Sequence, residues 1–432
     1  MRIIQLTPGT GHFYCGSCLR DSGLVRALRA RGNDAFIVPL YLPLKLEDST
    51  APEANANIRM GGINVYLQHK LSVLRHMPRV LADALDRPGL LRWISTKGNM
   101  TDPSGLGALT LSMLRGEEGR QAHELEKLID DLRSQPAPDV ICLSNAMLIG
   151  MARRLKQALG VPVICSLQGE APFLDALGAS HRDQAWATLR ERAADIDAFV
   201  PVSHWYGDLM AERLGLAPDR VHVVHNGIDS ADLAAVDWRT PAVPTVGYLA
   251  RMCADKGLPT LVEAFVHLVR SGEHEPDLRL RIAGVELAED RPLVRSLRRR
   301  LADEGLQSRV DFLPNLEREQ KIEFLGSLSV LSVPATYGES FGLYLLEALA
   351  AGVPLVQPRH GAFPEILEAT GGGLLCAPDD PVDLARALGE LLSDERKARE
   401  FAARGRAVVL ERFTEEAMAE GVEAVCKMVA AR

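Results

Sequence analysis

Short apolar runs alternate with amphipathic stretches along most of this sequence, and this alternation restricts the fold more than any other feature. RIIQLT (2–7) is predicted to be a buried strand, SCLRDSGLVRALRARG (17–32) a helix that ends at Gly32, and DAFIVPLY (34–41) a second strand. Strands that alternate with helices favour parallel sheets, because the helix carries the chain back to the starting edge. The sequence therefore predicts an α/β fold.

The alternation occurs in two series. DWRTPAVP (237–244) has no periodicity and resembles a linker, and a new series starts at TVGYLARMCADKG. We therefore expect two doubly wound, Rossmann-like domains, 1–236 and 237–412, facing a central cleft in which a ligand binds at the carboxyl ends of the strands. The segment 42–118 matches no regular pattern and is expected to carry specificity.

Composition excludes several function classes. The chain has 432 residues, 47% of them hydrophobic, and a net charge of −8, which argues against general nucleic-acid binding. A basic run at Arg295 and 298–300 is interpreted as a solvated helix face rather than a patch for anionic lipid or an acidic acceptor. The 7 cysteines are an odd number and indicate a reducing compartment.

The sequence also predicts where the protein works. Its first residues lack the apolar segment of a signal peptide, and no run approaches the roughly 18 apolar residues of a membrane-spanning helix. We expect a cytoplasmic protein and leave peripheral contact with the inner face of the membrane open.

The segment ATYGESFGLYLLEALAAG (335–352) reads as a strand end, a glycine-containing turn and a helix. Glu339 lies in the turn, and the amides at the helix start, 341–343, form a place for an anion such as phosphate. Glu347 lies inside the helix and can accept two hydrogen bonds from a ribose diol. The alternative is one capping and one surface glutamate.

Two cations follow the first strand of the second series, in GYLARMCADKG. Arg251 and Lys256 lie in a loop that opens at the carboxyl edge of the sheet, as the Glu339 loop does. Arginine offers bidentate geometry and lysine a compact charge, so together they can neutralise a diphosphate. Taken singly, each would be interpreted as a solvated loop cation.

The first strand-to-helix loop contains three glycines, Gly9, Gly11 and Gly16, which allow the backbone to approach a ligand. It matches neither a dinucleotide fingerprint nor a phosphate-binding Walker loop. Cys15 and Cys18 resemble half of a metal or redox motif, but no second pair follows, so structural thiols are favoured.

Three more polar residues follow predicted strands of the first domain. Gln168 and Glu170 are candidates for contact with acceptor or sugar, with loop hydrogen bonding as the alternative. His204 is a weaker candidate, because a single histidine is more often structural. No cluster of histidine, cysteine and aspartate has metal-ligand spacing, so no metal site is predicted.

Together these motifs resemble those of retaining GT-B glycosyltransferases, specifically glycosyltransferase family 4. ESFGLYLLEALAAGVPLV is similar to the acid–seven residues–acid motif of that family, and GYLARMCADKG to its arginine–lysine pair. VPVSHWYGDLM and CGSCLRDSGLVRALRARG resemble segments of its first domain. The chain departs from the family at Cys15, where a glycine is usual, and at Gln168, where a histidine is common.

The resemblance implies roles for individual residues. Arg251 and Lys256 would hold the diphosphate and stabilise it as leaving group, Glu339 would contact the donor sugar, and Glu347 would bind ribose. The remaining implied donor contacts are Gly16, Ser340, Phe341, Gly342 and Leu343. The final segment, 413–432, would cross back onto the first domain.

The implied reaction transfers a hexosyl group from a nucleoside-diphosphate sugar, UDP- or GDP-linked, to an acceptor hydroxyl, with retention and without metal or other cofactor. The acceptor, whether glycan, lipid or small molecule, stays open. The alternatives are a related GT-B enzyme, an epimerase or phosphorylase, and a non-catalytic nucleotide-sugar sensor in which Cys15 and Cys18 matter more than turnover.

Overall fold

The computed structural model describes residues 1–9, 16–42, 44, 103–272 and 277–432, without the side chains of 103–105. The chain forms two compact units, Met1–His225 with Glu415–Arg432, and Asn226–Thr414. Gly11, Cys15 and most of the 42–118 segment lie outside the described residues, so the predictions made for them stay predictions.

In its described part, the first unit is built on five parallel strands in the order β2-β1-β3-β4-β5. The strands are β1 (Arg2–Thr7), β2 (Asp34–Pro39), β3 (Val140–Leu143), β4 (Val163–Leu167) and β5 (Ala198–Pro201). The helices are α1 (Gly16–Ala30), α2 (Pro103–Leu114), α3 (Ala122–Arg133), α4 (Ala152–Leu159), α5 (Ala171–Asp175), α6 (Ala179–Arg192) and α7 (His204–Leu214). The chain builds outward from β1 in one direction and then from β3 in the other, so the switch point lies between β1 and β3.

The described part of the second unit has six parallel strands in the order β11-β10-β9-β6-β7-β8. The strands are β6 (Thr245–Leu249), β7 (Arg279–Gly284), β8 (Val310–Pro314), β9 (Val330–Leu331), β10 (Leu355–Pro358) and β11 (Gly373–Cys376). The helices are α8 (Ala231–Ala234), α9 (Leu258–Ser271), α10 (Arg291–Asp303), α11 (Arg318–Gly326), α12 (Leu343–Ala350), α13 (Phe363–Thr370), α14 (Pro381–Ser393) and α15 (Glu395–Arg412). Its switch point lies between β6 and β9, and ligands of such sheets bind at this point.

The last helix, α16 (Glu415–Ala430), belongs to the first unit. Its buried Val422 and Cys426 share a hydrophobic cluster with Leu24 and Leu28 of α1 and with Ile3 of β1. Burying each such aliphatic side chain stabilises the fold by about 1.5–3 kcal/mol. The apolar side of the amphipathic helix α16 therefore packs on one face of the first sheet.

The elements agree with the sequence pattern where local signals are strong. β1 has the predicted bounds, and α12 begins after its glycine turn and ends just before Gly352, whose φ is +86°. The segment DRVHVVHNGID (219–229) forms no named strand. It makes two isolated bridges, from Val221 to Phe199 and from Ile228 to Thr414. Among the described helices, none is both long and apolar enough to cross a membrane.

Candidate functional site

Two loops meet at the switch point of the second sheet: 250–257 after β6 and 332–342 after β9. The Thr336 amide donates to the Asp255 carbonyl across 2.9 Å. Gly257 has a φ of +72°, and a Cβ at this position would lie 1.7 Å from the Pro334 oxygen. This close approach requires glycine, and it brings the residue before it, Lys256, next to the second loop.

Lys256 and Glu339, predicted separately from the sequence, form a short ion pair in which Nζ donates to Oε2. Their side chains are 22% and 9% exposed. The hydroxyls of Tyr344 and Tyr337 lie 3.0 and 3.3 Å from the same oxygen. Burial acts to lower the pKa of Lys256, but the attraction of Glu339 outweighs it and the pKa is raised. Lys256 is thus a fixed cation at neutral pH.

The two tyrosines were not predicted as site residues. The Lys256 ammonium lies 5.0 Å from the ring centroid of Tyr337 and 5.8 Å from that of Tyr344, within the range of cation–π attraction. Burial, followed by the charge of Glu339, raises the pKa of both phenols, so both stay protonated. A tyrosine five residues after Glu339, at the second position of α12, was the signal that could have identified one of them.

Helix α12 begins directly behind this ion pair. Gly342 has a φ of +87°, a left-handed conformation that ends the loop and lets the helix start at Leu343. Ser340 and Phe341 are buried in the loop that leads to it. The first turn of a helix leaves amides without intrahelical acceptors, at the positive end of the helix dipole. The helix start on which the predicted anion position depends is therefore present, and anion binding there stays a prediction.

Arg251 lies in the same loop as Lys256 but pairs with two acids that the sequence did not indicate. Its Nε and Nη2 each lie 2.9 Å from a carboxylate oxygen of Asp290, and Nη2 also contacts Glu289. Burial acts to lower its pKa, yet Asp290 raises it overall. Among the described residues none accepts from Nη1, so this nitrogen is the donor available to a ligand.

Glu347 faces a cation that the sequence did not predict either. Nζ of Lys321, on α11, lies 2.7 Å from Oε1 of Glu347, and the two side chains are 13% and 19% exposed. Helix α11 carries the chain from the edge strand β8 back to β9, which brings the two helices together. The sequence spacing of 26 residues gives no local signal for this pair.

Glu170, in the first unit, uses its carboxylate to join loops. Oε1 accepts from the amide of Ala146, and Oε2 accepts from the amides of Gln168 and Gly169 and from the hydroxyl of Tyr206, at 2.8–3.1 Å. The residue is 6% exposed. These contacts match the loop-bonding alternative, and a contact with acceptor or sugar stays a prediction.

The Gln168 side chain belongs to a cluster of buried polar groups at α1. Its Nε2 donates to the Ser144 carbonyl at 2.6 Å and lies 3.3 Å from Oδ1 of Asp21. Asp21 also accepts from Thr7 at 2.8 Å and pairs with Arg20 at 3.1 Å, with both charged side chains fully buried. This cluster lies at the β1–β3 switch point, and no sequence pattern predicted it.

The other two candidates of the first unit are more exposed. His204 begins α7, and its ring centroid lies 5.9 Å from that of His225. Gly16 is exposed and is the first residue of α1. Their roles in ligand binding stay predictions.

Two family models match this chain. The glycosyl transferases group 1 model matches residues 240–408, and the glycosyl transferase 4-like domain model matches residues 22–227. The first spans the Arg251–Lys256 loop and α12, and the second spans most of the first unit.

The chain carries two glycosyltransferase family domains. Among curated relatives of this glycosyltransferase, the alpha-maltose-1-phosphate synthase of Mycolicibacterium smegmatis is 28% identical over 67% of this chain and 79% of its own length. The D-inositol 3-phosphate glycosyltransferase of Xylanimonas cellulosilytica is 30% identical over 49% of this chain and 52% of its own.

Solved structures agree on the fold. Sucrose-phosphate synthase from Thermosynechococcus elongatus has a TM-score of 0.70 at 18% identity, over 100% of both chains. Anabaena HepE in complex with UDP has a TM-score of 0.66 at 16% identity, over 99% of this chain and 100% of that one. The expected GT-B fold, with a doubly wound sheet in each unit, is confirmed.

Proposed function

We propose that this glycosyltransferase moves a hexosyl group from a nucleoside-diphosphate sugar to an acceptor hydroxyl, with retention of the anomeric configuration and without a metal ion. The observation that carries the proposal is the Lys256–Glu339 pair in front of α12, at the β6–β9 switch point. A cation, a carboxylate and a helix N-terminus in one place suit a diphosphate joined to a sugar. UDP, bound in the HepE structure, is the first nucleotide to test.

In this proposal the chain stabilises the leaving group. As the bond between the anomeric carbon and the diphosphate oxygen breaks, negative charge grows on that oxygen. Lys256, Nη1 of Arg251 and the first-turn amides of α12 meet this charge, and preorganised groups of this kind are usually the largest catalytic term. Because two side-chain cations supply the positive charge, a metal ion has no required role.

In this proposal Glu339 binds the sugar rather than the diphosphate. It is an acceptor-only group when ionised, and Lys256 already occupies part of Oε2. The remaining acceptor positions suit sugar hydroxyls. The acceptor hydroxyl attacks the face from which the diphosphate departs, its oxygen bonds to the anomeric carbon, and its proton passes to the departing diphosphate.

The test needs no knowledge of the acceptor. The melting temperature of the protein is measured in EDTA with UDP-, GDP- and ADP-sugars. The sugars linked to one of these three nucleotides should raise it, since a ligand at 100 times its Kd stabilises the folded protein by about 2.7 kcal/mol. Proton NMR of slow donor hydrolysis then identifies the anomer released first, which should be that of the donor. Failure of all three series to stabilise folded protein, or first release of the inverted anomer, would overturn the proposal.

A further inference from the structure

The Lys321–Glu347 pair joins two helices of the second unit at the position expected to hold the donor ribose. We propose that Lys321 is a positioning residue that holds the Glu347 carboxylate ready to receive the 2′- and 3′-hydroxyls of that ribose. The inference rests on the proposed function, because it concerns the same donor site. It adds a residue that lies outside the acid–seven residues–acid motif.

The geometry leaves room for both the lysine and a diol. Lys321 reaches Oε1 at 2.7 Å, and no described residue donates to Oε2. An ionised carboxylate has about four lone-pair positions, so one ammonium contact and two hydroxyl contacts fit on the same group. The ammonium fixes one oxygen of the carboxylate, which orients the other.

Charge provides a second reason. Glu347 lies one turn inside α12, the helix whose N-terminus is proposed to bind the diphosphate. A carboxylate close to a diphosphate repels it unless a cation compensates the charge. Lys321 supplies that cation from α11, and with 13% exposure its ammonium is less screened than a surface charge.

A matched control lies on the same unit. Lys397 of α15 pairs with Glu390 of α14, also across two helices, but their side chains are 32% and 36% exposed. Surface pairs of this kind contribute little. Lys397→Met therefore removes the same charge by the same substitution, far along the chain from the donor residues.

The experiment is calorimetric titration with UDP, GDP and ADP, followed by the 2′,3′-dideoxy form of the one that binds. Lys321→Met should weaken the ribonucleotide about tenfold, the scale of one charge-assisted hydrogen bond, and the dideoxy form less than about twofold. Glu347→Gln should discriminate in the same way, and Lys321→Met/Glu347→Gln should lose no more than either alone. Lys321→Arg should recover most of the affinity, and Lys397→Met should bind like the wild type.

The outcomes separate the two proposals. If the wild type binds none of the three diphosphates, the proposed function fails and this inference with it. If the wild type prefers the ribonucleotide and Lys321→Met keeps that preference and affinity, only the inference is overturned. An equal loss of both nucleotide forms would also overturn it, because it would indicate a general effect of charge or packing.

Discussion

At the switch point of the first sheet, between β1 and β3, charged side chains bond to one another and are fully buried. At the switch point of the second sheet, between β6 and β9, the charged pair keeps 22% exposure at its lysine and adjoins the start of a helix. The two units share a doubly wound topology. At the carboxyl edge of its sheet, the first unit uses charged side chains to hold α1 in place, whereas the second unit keeps a charged pair partly exposed. Topology therefore predicts where polar residues gather, and burial decides what they do.

The largest expected effect is at the buried switch point. Asp21→Ala would remove the carboxylate that pairs with the buried Arg20 and accepts from Thr7, and it should destabilise the first unit by about 3–5 kcal/mol. Urea unfolding followed by hydrogen exchange of the β1 and β3 peptides measures this. The control is Asp34→Ala, which breaks an ion pair with Arg2 at a side chain that is 56% exposed and should cost less than about 1 kcal/mol. Equal losses in the two variants would show that burial does not distinguish these pairs.

Next in size is the exposed switch point. Lys256→Met should lower kcat/KM for donor hydrolysis or transfer by about 10²–10³, because it removes a preorganised cation from the leaving group. It should also lower stability, since Glu339, whose side chain is 9% exposed, loses its charged partner. Lys256→Met/Glu339→Gln should regain the melting temperature but not the rate. Near-normal turnover in Lys256→Met would contradict the assigned role.

A smaller effect is expected for Asp290, which contacts Arg251 instead of the proposed substrate. Asp290→Asn should lower kcat/KM about tenfold, because Asp290 accepts from both Nε and Nη2 of Arg251 and fixes the direction of Nη1. Glu289→Gln is the control: it alters the same guanidinium from a side chain that is 32% exposed, and its rate should stay within about threefold of the wild type. The same loss in both variants would mean that orientation by Asp290 is unimportant.

The smallest effect concerns the attachment of α16 to the first unit. Lys427 and then Arg31, each 2.8 Å from Glu423, lower the pKa of that carboxyl from 4.5 to about 2. A lowered pKa in the folded state gives stability that is complete above pH 4.5 and is lost as the pH falls towards 2. Glu423→Gln should therefore loosen α16 at pH 7.

Hydrogen exchange of the α16 peptides measures that difference at several pH values. The gap between the wild type and Glu423→Gln should close as the pH falls from 4.5 towards 2. A gap that does not change over this range would show that the carboxylate charge does not stabilise the helix.

The sequence indicated part of the site through local patterns. Glu339 and Glu347 are separated by seven residues that include a glycine turn, and Lys256 follows a strand in a glycine-containing loop. Such signals span fewer than ten residues, so they can be recognised without knowledge of the fold. Glu170 also follows a strand, but its pattern could not show that Tyr206 and three amides occupy its carboxylate.

By itself, the sequence determined the α/β class, the bounds of β1 and the start of α12, because apolar periodicity and glycine conformation act over a few residues. Only the tertiary structure decided that Lys321 meets Glu347, that Asp290 holds Arg251 and that Arg20 and Asp21 are buried. The first two pairs depend on the order of strands in the second sheet, which places residues far apart in the chain side by side. Arg20 and Asp21 are neighbours in the sequence, and only the packing of α1 buries them. The local sequence around a charged residue does not indicate a distant partner, because tertiary packing determines which residues meet.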